Sequence, residues 1–138
     1  MSIDAEAKAL HITRLLDQKG AENIQLLQVD PSSGALFDYA IVVTGRSERQ
    51  LNTFMQEALH LCKRQKLAYN QPETAENWHL IDCYEVVVHA MLEEAREYYR
   101  LEALWPDAHQ LDYSALLSEL PYLPGEEEAM AKNNNPFG

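Results

Sequence analysis

Trp78-His79-Leu80-Ile81-Asp82-Cys83-Tyr84-Glu85-Val86-Val87-Val88-His89-Ala90-Met91-Leu92-Glu93-Glu94-Ala95-Arg96-Glu97-Tyr98-Tyr99-Arg100-Leu101-Glu102-Ala103-Leu104-Trp105 runs from two β-type patterns straight into a helical one. Residues 79–82 and 86–91 predict two antiparallel strands joined by a tight connection around Cys83 and Tyr84. Strand alternation puts His79 and Cys83 on one face and Asp82 on the other, and turns His89 away from Val88 and Ala90. A helix is expected over residues 92–105, ended by Pro106, which lacks a backbone donor. Glu93 with Arg96 and Glu97 with Arg100 stand at i, i+3, the spacing of ion pairs on a solvated helix face. Tyr98 and Tyr99 cannot both face inward from one helical stripe, so at least one belongs at the surface, where aromatic side chains mark protein interfaces. The stretch divides into core residues (Ile81, Val86, Val88, Leu101) and an outward set built on Trp78, Asp82 and the two tyrosines.

Working outward, a helix is expected over residues 4–19, with Ala9, Ile12, Leu15 and Leu16 as its apolar stripe and Gly20 as its stop. A strand over 24–29 follows, then the turn Asp30-Pro31-Ser32-Ser33-Gly34. The apolar run over 37–44 suits a strand buried on both faces. Ser47 and Gln50 have the spacing of a capping box, opening a second helix whose Leu51, Phe54, Met55, Ala58, Leu59 and Cys62 share one face. Residues 70–77 are polar, contain Pro72 and read as a loop. The order helix, strand, strand, helix, strand, strand, helix predicts an α/β fold, a mixed sheet flanked by helices. Residues 1–106 form the expected domain. Residues 107–138 read as an extension with one short helix behind Asp112, closed by Pro121, and a polar acidic tail from Gly125 expected to be mobile.

The net charge of −11 over 138 residues disfavours phosphate backbones as partners, so little direct RNA contact is expected. Lys63, Arg64 and Lys66 make the only tight basic cluster, near a helix C-terminus where cations are favoured. A nucleoprotein would be met through a basic protein component. The N-terminus lacks a signal-peptide pattern and no apolar run approaches a membrane span, which makes the cytoplasm the expected compartment. Cys62 and Cys83 fit it as buried free thiols, neither belonging to a Cys-x-x-Cys pair.

No catalytic set emerges. Thr44-Gly45-Arg46-Ser47 has the residue types of a helix cap and also those of an anion-binding turn, but no Walker sequence surrounds it. Nucleotidyl transfer needs paired carboxylates on a strand to hold Mg²⁺, and the chain has no Asp-x-Asp. His79, Asp82, Cys83 and His89 are close in sequence, yet alternation splits them between faces. They read as strand residues rather than zinc ligands, and a Cys–His nucleophilic pair has no third group to orient it. No cofactor, no metal and no enzymatic activity is expected.

The blocks Phe37-Asp38-Tyr39-Ala40-Ile41-Val42-Val43-Thr44-Gly45-Arg46-Ser47-Glu48-Arg49-Gln50-Leu51, Trp78-His79-Leu80-Ile81-Asp82 and Glu85-Val86-Val87-Val88-His89 together resemble the ribosomal silencing factor (Iojap) family, as do Glu94, Arg96, Tyr99-Arg100-Leu101-Glu102 and Leu104-Trp105. The similarity runs over residues 4–107. It implies a fold distantly like the nucleotidyltransferases without their catalytic carboxylates. It also implies a translational repressor that binds the fourteenth protein of the large ribosomal subunit and sterically blocks joining of the small subunit. Two departures stand out: Cys83-Tyr84 replaces the family's usual turn glycine, and Asn70-Gln71-Pro72-Glu73-Thr74-Ala75-Glu76 replaces its Gly-x-Glu-Gly loop. On this reading the protein-binding residues are Trp78, Asp82, Glu85, Tyr98 and Tyr99, with Glu93, Glu97 and Glu102 as acidic partners for lysine or arginine. The chain itself is expected as a monomer or weak homodimer. The alternative is a divergent nucleotidyltransferase-like enzyme or nucleotide-binding module using the Gly45–Ser47 turn.

Overall fold

A computed structural model describes residues 3–123. The tail expected from Gly125 onward lies outside the described residues. Helix α1, Ala5–Gln18, starts at Asp4, whose side chain accepts the Ala7 N–H at 2.7 Å. It ends where Gly20 enters the left-handed region at φ +94°. Its Ala9, Ile12, Leu15 and Leu16 are all buried, as their spacing requires. Strand β1 covers Glu22–Gln28 and is followed by a 3-10 turn at Pro31–Ser33. Strand β2, Tyr39–Gly45, is buried at every position, so both of its faces are covered. Helix α2, Glu48–Gln65, lays Leu51, Phe54, Met55, Ala58, Leu61 and Cys62 against the sheet. Its last turn holds Lys63 and Arg64, beside the helix's negative end.

The rest of the sheet comes from β3 (Glu73–Ala75), β4 (Trp78–Cys83), β5 (Val86–Leu92) and, after helix α3 (Glu93–Tyr99), β6 (His109–Gln110). A 3-10 turn at Leu101–Leu104 follows α3, and helix α4 (Tyr113–Ser118) closes the described chain. The strand order is β3-β4-β5-β2-β1-β6. Only the central pair β2 and β5 is parallel, and the other neighbours are antiparallel. The α2 crossover makes that parallel pair possible.

The register separates two faces. His79, Ile81 and Cys83 of β4 and Val86, Val88 and Ala90 of β5 point toward α1 and α2, where all but the polar His79 join the main apolar core. Trp78, Leu80, Val87, His89 and Met91 point to the other face, with Ala40 and Val42 of β2. That second face has a thinner cover, made by α3, the 3-10 turn and Trp105. Alternation in the sequence placed His79 and Cys83 together on one face and turned His89 away from Val88 and Ala90, as the register shows.

Three sequence expectations change. The helix expected over 92–105 is broken: Arg100 adopts φ +46°, α3 stops at Tyr99, and a 3-10 turn carries the chain to Trp105. The break lets Leu101 bury while Leu104 stays exposed. The loop expected over 70–77 contains β3, whose Thr74 and Ala75 pair with His79 and Trp78. Finally, β6 pairs Gln110 with Leu27 and His109 with Gln28, adding a strand at the far edge. The capping box at α2 is also modified. Ser47 Oγ accepts the Gln50 N–H at 3.1 Å, but the Gln50 side chain takes the N–H of Arg46 instead of that of Ser47.

Candidate docking face

Six rings lie in contact across the second sheet face. Tyr98 meets Tyr99 at 4.9 Å between centroids, Tyr99 meets Trp78 at 4.8 Å, and Trp78 meets His89 at 5.8 Å. The row continues from His89 to Trp105 at 6.1 Å and from Trp105 to Phe37 at 5.5 Å, edge to face. The outer end is open to solvent: Tyr98 is 81% exposed and Tyr99 52%. Both tyrosines therefore face outward, and Trp78 is half-buried beneath them.

A hydrogen bond fixes the middle of the row. Trp78 Nε1–H donates to His89 Nδ1 at 3.1 Å, so the neutral imidazole carries its proton on Nε2. His89 is only 9% exposed, and burial pushes its pKa from the ordinary 6.5 down to about 4. Trp78 is thus held in one orientation by a neutral histidine below it and a tyrosine beside it. Against its other flank lies an apolar hollow of about 270 Å³, lined by Glu73, Thr74, Ala75, Trp78 and Leu80. A second hollow, lined by Ala75, Glu76, Asn77, Glu94, Ala95, Tyr98 and Tyr99, adjoins it.

Carboxylates rim the outer end. Glu93, Glu94 and Glu97 are exposed on α3. The ion pairs expected along this helix take another form. Arg96 turns inward, donating to Thr44 Oγ1 at 2.8 Å and Gln25 Oε1 at 2.9 Å, and its charge is met by Glu102 at 3.7 Å. Arg100 Nε donates to the carbonyl of Glu97. Arg96 therefore pins α3 to the sheet, leaving Glu93 and Glu97 facing solvent beside a polar hollow that also includes Asn23, Gln25 and Gln110.

The expected interface residues fall into two groups. Trp78, Tyr98, Tyr99, Glu93 and Glu97 converge at one end of the β4–β5 hairpin, with Glu102 nearby through Arg96. Asp82 and Glu85 sit at the turn end, roughly 13 Å along the strand from Trp78. There Asp82 accepts the Tyr84 N–H at 2.8 Å and the Asn70 side-chain amide at 3.2 Å, while Glu85 pairs with buried Lys8 at 3.3 Å. Leu80 and Phe37 were not singled out from the sequence, and His89 was read only as a bonded strand histidine. The two-residue turn at Tyr84 and Glu85 holds the signal, since it pairs Leu80 with His89 and sets Trp78 diagonally across from His89 on one face.

The Gly45–Ser47 turn is occupied by structural contacts. A Cβ on Gly45 would lie 2.7 Å from Leu51 Cδ2 and 3.2 Å from Phe54 Cε2, so the glycine lets α2 pack closely on β2. Ser47 caps the helix, and Arg46 is paired with Glu22 at 2.5 Å. His79 Nε2 lies 3.0 Å from Glu48 Oε2, tying β4 to the start of α2. Among the described residues no cluster of three or more His, Cys, Asp or Glu side chains is arranged to hold a metal, and no helix is long and apolar enough to cross a membrane.

Comparison with known proteins adds an independent line. The family model "Ribosomal silencing factor during starvation" matches residues 2–136. A ribosomal silencing factor from Chromobacterium violaceum is 38% identical over 103 residues, covering 72% of this chain and 82% of that protein. One from Halalkalibacterium halodurans is 31% identical over 105 residues, covering 75% and 89%. The mouse mitochondrial assembly of ribosomal large subunit protein 1 is 31% identical over 99 residues, 68% of this chain and 43% of its own length. A crystal structure from Chromobacterium violaceum superposes with a TM-score of 0.70 at 29% identity, over 75% of this chain and 88% of that one. A second, from Bacillus halodurans, gives 0.60 at 31% identity, over 73% and 94%. With the mixed sheet, the α2 crossover and the match along nearly the whole sequence in agreement, this chain belongs to the ribosomal silencing factor family.

Proposed function

We propose that the protein represses translation by docking on the large ribosomal subunit and sterically blocking its union with the small one. The contact is a basic protein of the joining face, the subunit's fourteenth protein, and the docking surface is the open end of the aromatic row. The observation that carries this reading is the Trp78–Tyr98–Tyr99 cluster, fixed from below by His89 and flanked by an apolar hollow and exposed carboxylates. Pre-oriented aromatics beside a hollow supply the central anchors of an interface. Glu93 and Glu97 at the rim steer and register a basic partner. The net charge of −11 works in the same direction, toward protein and away from RNA. Binding and exclusion require no chemistry, so the role is non-catalytic.

Trp78→Ala should weaken binding to isolated large subunits by about 2 kcal/mol or more, roughly thirtyfold in Kd. Co-sedimentation with large subunits measures the affinity, and light scattering on mixing the two subunits measures the block. Full affinity and full block in a folded Trp78→Ala protein would remove this face from the site. Binding abolished by ribonuclease would place the contact on RNA instead.

A further inference from the structure

Cys62 faces inward from α2, and Cys83 ends β4 on the same side of the sheet. Both residues are wholly buried, and their sulfurs lie 3.9 Å apart. They are in contact already, so nothing has to leave the space between them for a bond to form. Closing to a disulfide needs an approach of about 2 Å, which side-chain rotation and a small helix shift can share. The ammonium group of Lys8 is buried nearby, donating to the Cys83 carbonyl at 2.5 Å.

We propose that Cys62 and Cys83 are a reversible redox pair, closing to an intramolecular disulfide under a peroxide and reopening under a thiol reductant. Contact with Cys83 and the Lys8 charge hold the Cys62 thiol below its usual range against the opposing cost of burial, whereas the neighbouring Cys62 and burial raise Cys83 above its own. The 3.9 Å contact lets either sulfur act first with the other resolving it, and the case of Cys62 acting first stands for both. The Cys62 thiolate attacks one peroxide oxygen, the O–O bond breaks, and the departing hydroxide takes up the proton that Cys62 released, leaving as water. The sulfenic acid so formed is attacked by the Cys83 sulfur. The S–S bond forms, the S–O bond breaks, and the hydroxyl leaves as a second water with the Cys83 proton. Two thiols and one hydrogen peroxide become one disulfide and two waters. Because the resolving sulfur is in contact with the first, closure outruns further oxidation of Cys62. The bridge would tie α2 to the strand that carries Trp78, Leu80 and Asp82 on its opposite face.

The test treats the folded full-length chain with hydrogen peroxide, then unfolds it in the presence of N-ethylmaleimide. The expected result is simultaneous loss of both thiols, a mass lower by two hydrogens, a linked peptide containing Cys62 and Cys83, and recovery of both thiols with dithiothreitol. In Cys83→Ala, oxidation should stop at a sulfenic acid on Cys62 that dimedone captures. Two thiols still alkylated after peroxide, progression of Cys62 to sulfinic acid in the unsubstituted chain, or a bridge that forms only in urea or only between chains would each overturn the proposal.

Discussion

Acid should loosen the proposed docking face through His89. This ring is 9% exposed, accepts the Trp78 indole N–H at Nδ1, and has its pKa pushed from 6.5 to about 4 by burial. Protonation would place a second hydrogen on Nδ1, directly against the indole donor. Because the folded pKa is the lower one, the unfolded chain takes up the proton first as pH falls. The resulting stabilisation of the fold is fully present above the unfolded pKa of 6.5 and is lost progressively as pH falls toward 4. One proton across that window is worth about 1.4 kcal/mol per pH unit, or about 3 kcal/mol in all. Other groups titrate over the same range, so the measurement is a difference. His89→Asn keeps an acceptor close to the Nδ1 position and removes the titration. Urea unfolding followed by tryptophan fluorescence, at steps from about pH 7 to about pH 4, gives the stability of both proteins. The unsubstituted chain should lose about 3 kcal/mol relative to His89→Asn across the range. Curves that run parallel throughout would refute the idea that burial holds this histidine neutral.

Three further outcomes follow from particular contacts. Gly45→Ala drives a methyl to 2.7 Å from Leu51 Cδ2, so the variant should lose about 1–3 kcal/mol in urea unfolding as α2 is pushed off β2. Ser47→Ala removes the oxygen that accepts the Gln50 N–H and should cost about 1 kcal/mol, with no change in nucleotide binding by calorimetry if the turn serves only as a cap. Tyr84 sits at φ +69° in the two-residue turn between β4 and β5; relief of left-handed strain exceeds the entropy cost, so Tyr84→Gly should raise the melting temperature, corresponding to about 0.5–1 kcal/mol.

The long elements were legible because their patterns are set by solvent alone. The stripe of α1, the inward face of α2, the apolar run of β2 and the alternation of β4 and β5 each sort polar from apolar side chains, and each appears where expected. The missed features rest on tertiary partners. Arg100 breaks α3 without a glycine or proline to announce it, because burying Leu101 and anchoring Arg96 on Thr44 and Gln25 outweigh the local strain. β3 is polar and three residues long, and only its pairing with β4 makes it a strand. The aromatic row was half visible. Tyr98 and Tyr99 announced an exposed end, but joining Trp78 to His89 needed the hairpin register, and adding Phe37 and Trp105 needed the fold. The contact between Cys62 and Cys83 had no local signature, since the residues belong to different elements.

The two residue pairs of β6 have a meaning beyond their size. Without His109 and Gln110, the outer side of β1 would present unpaired N–H and C=O groups beside Leu26 and Leu27, a template for the same strand in another molecule. The segment beyond Pro106 also brings Leu111, Tyr113, Leu116, Leu117 and Leu120 onto the core around α1, where Arg14 holds the carbonyls of Leu120 and Pro121. A chain cut at Pro106 would keep the other five strands but lose its guard against sticking to itself. Insolubility, rather than loss of fold, is the fault such a truncation would show first.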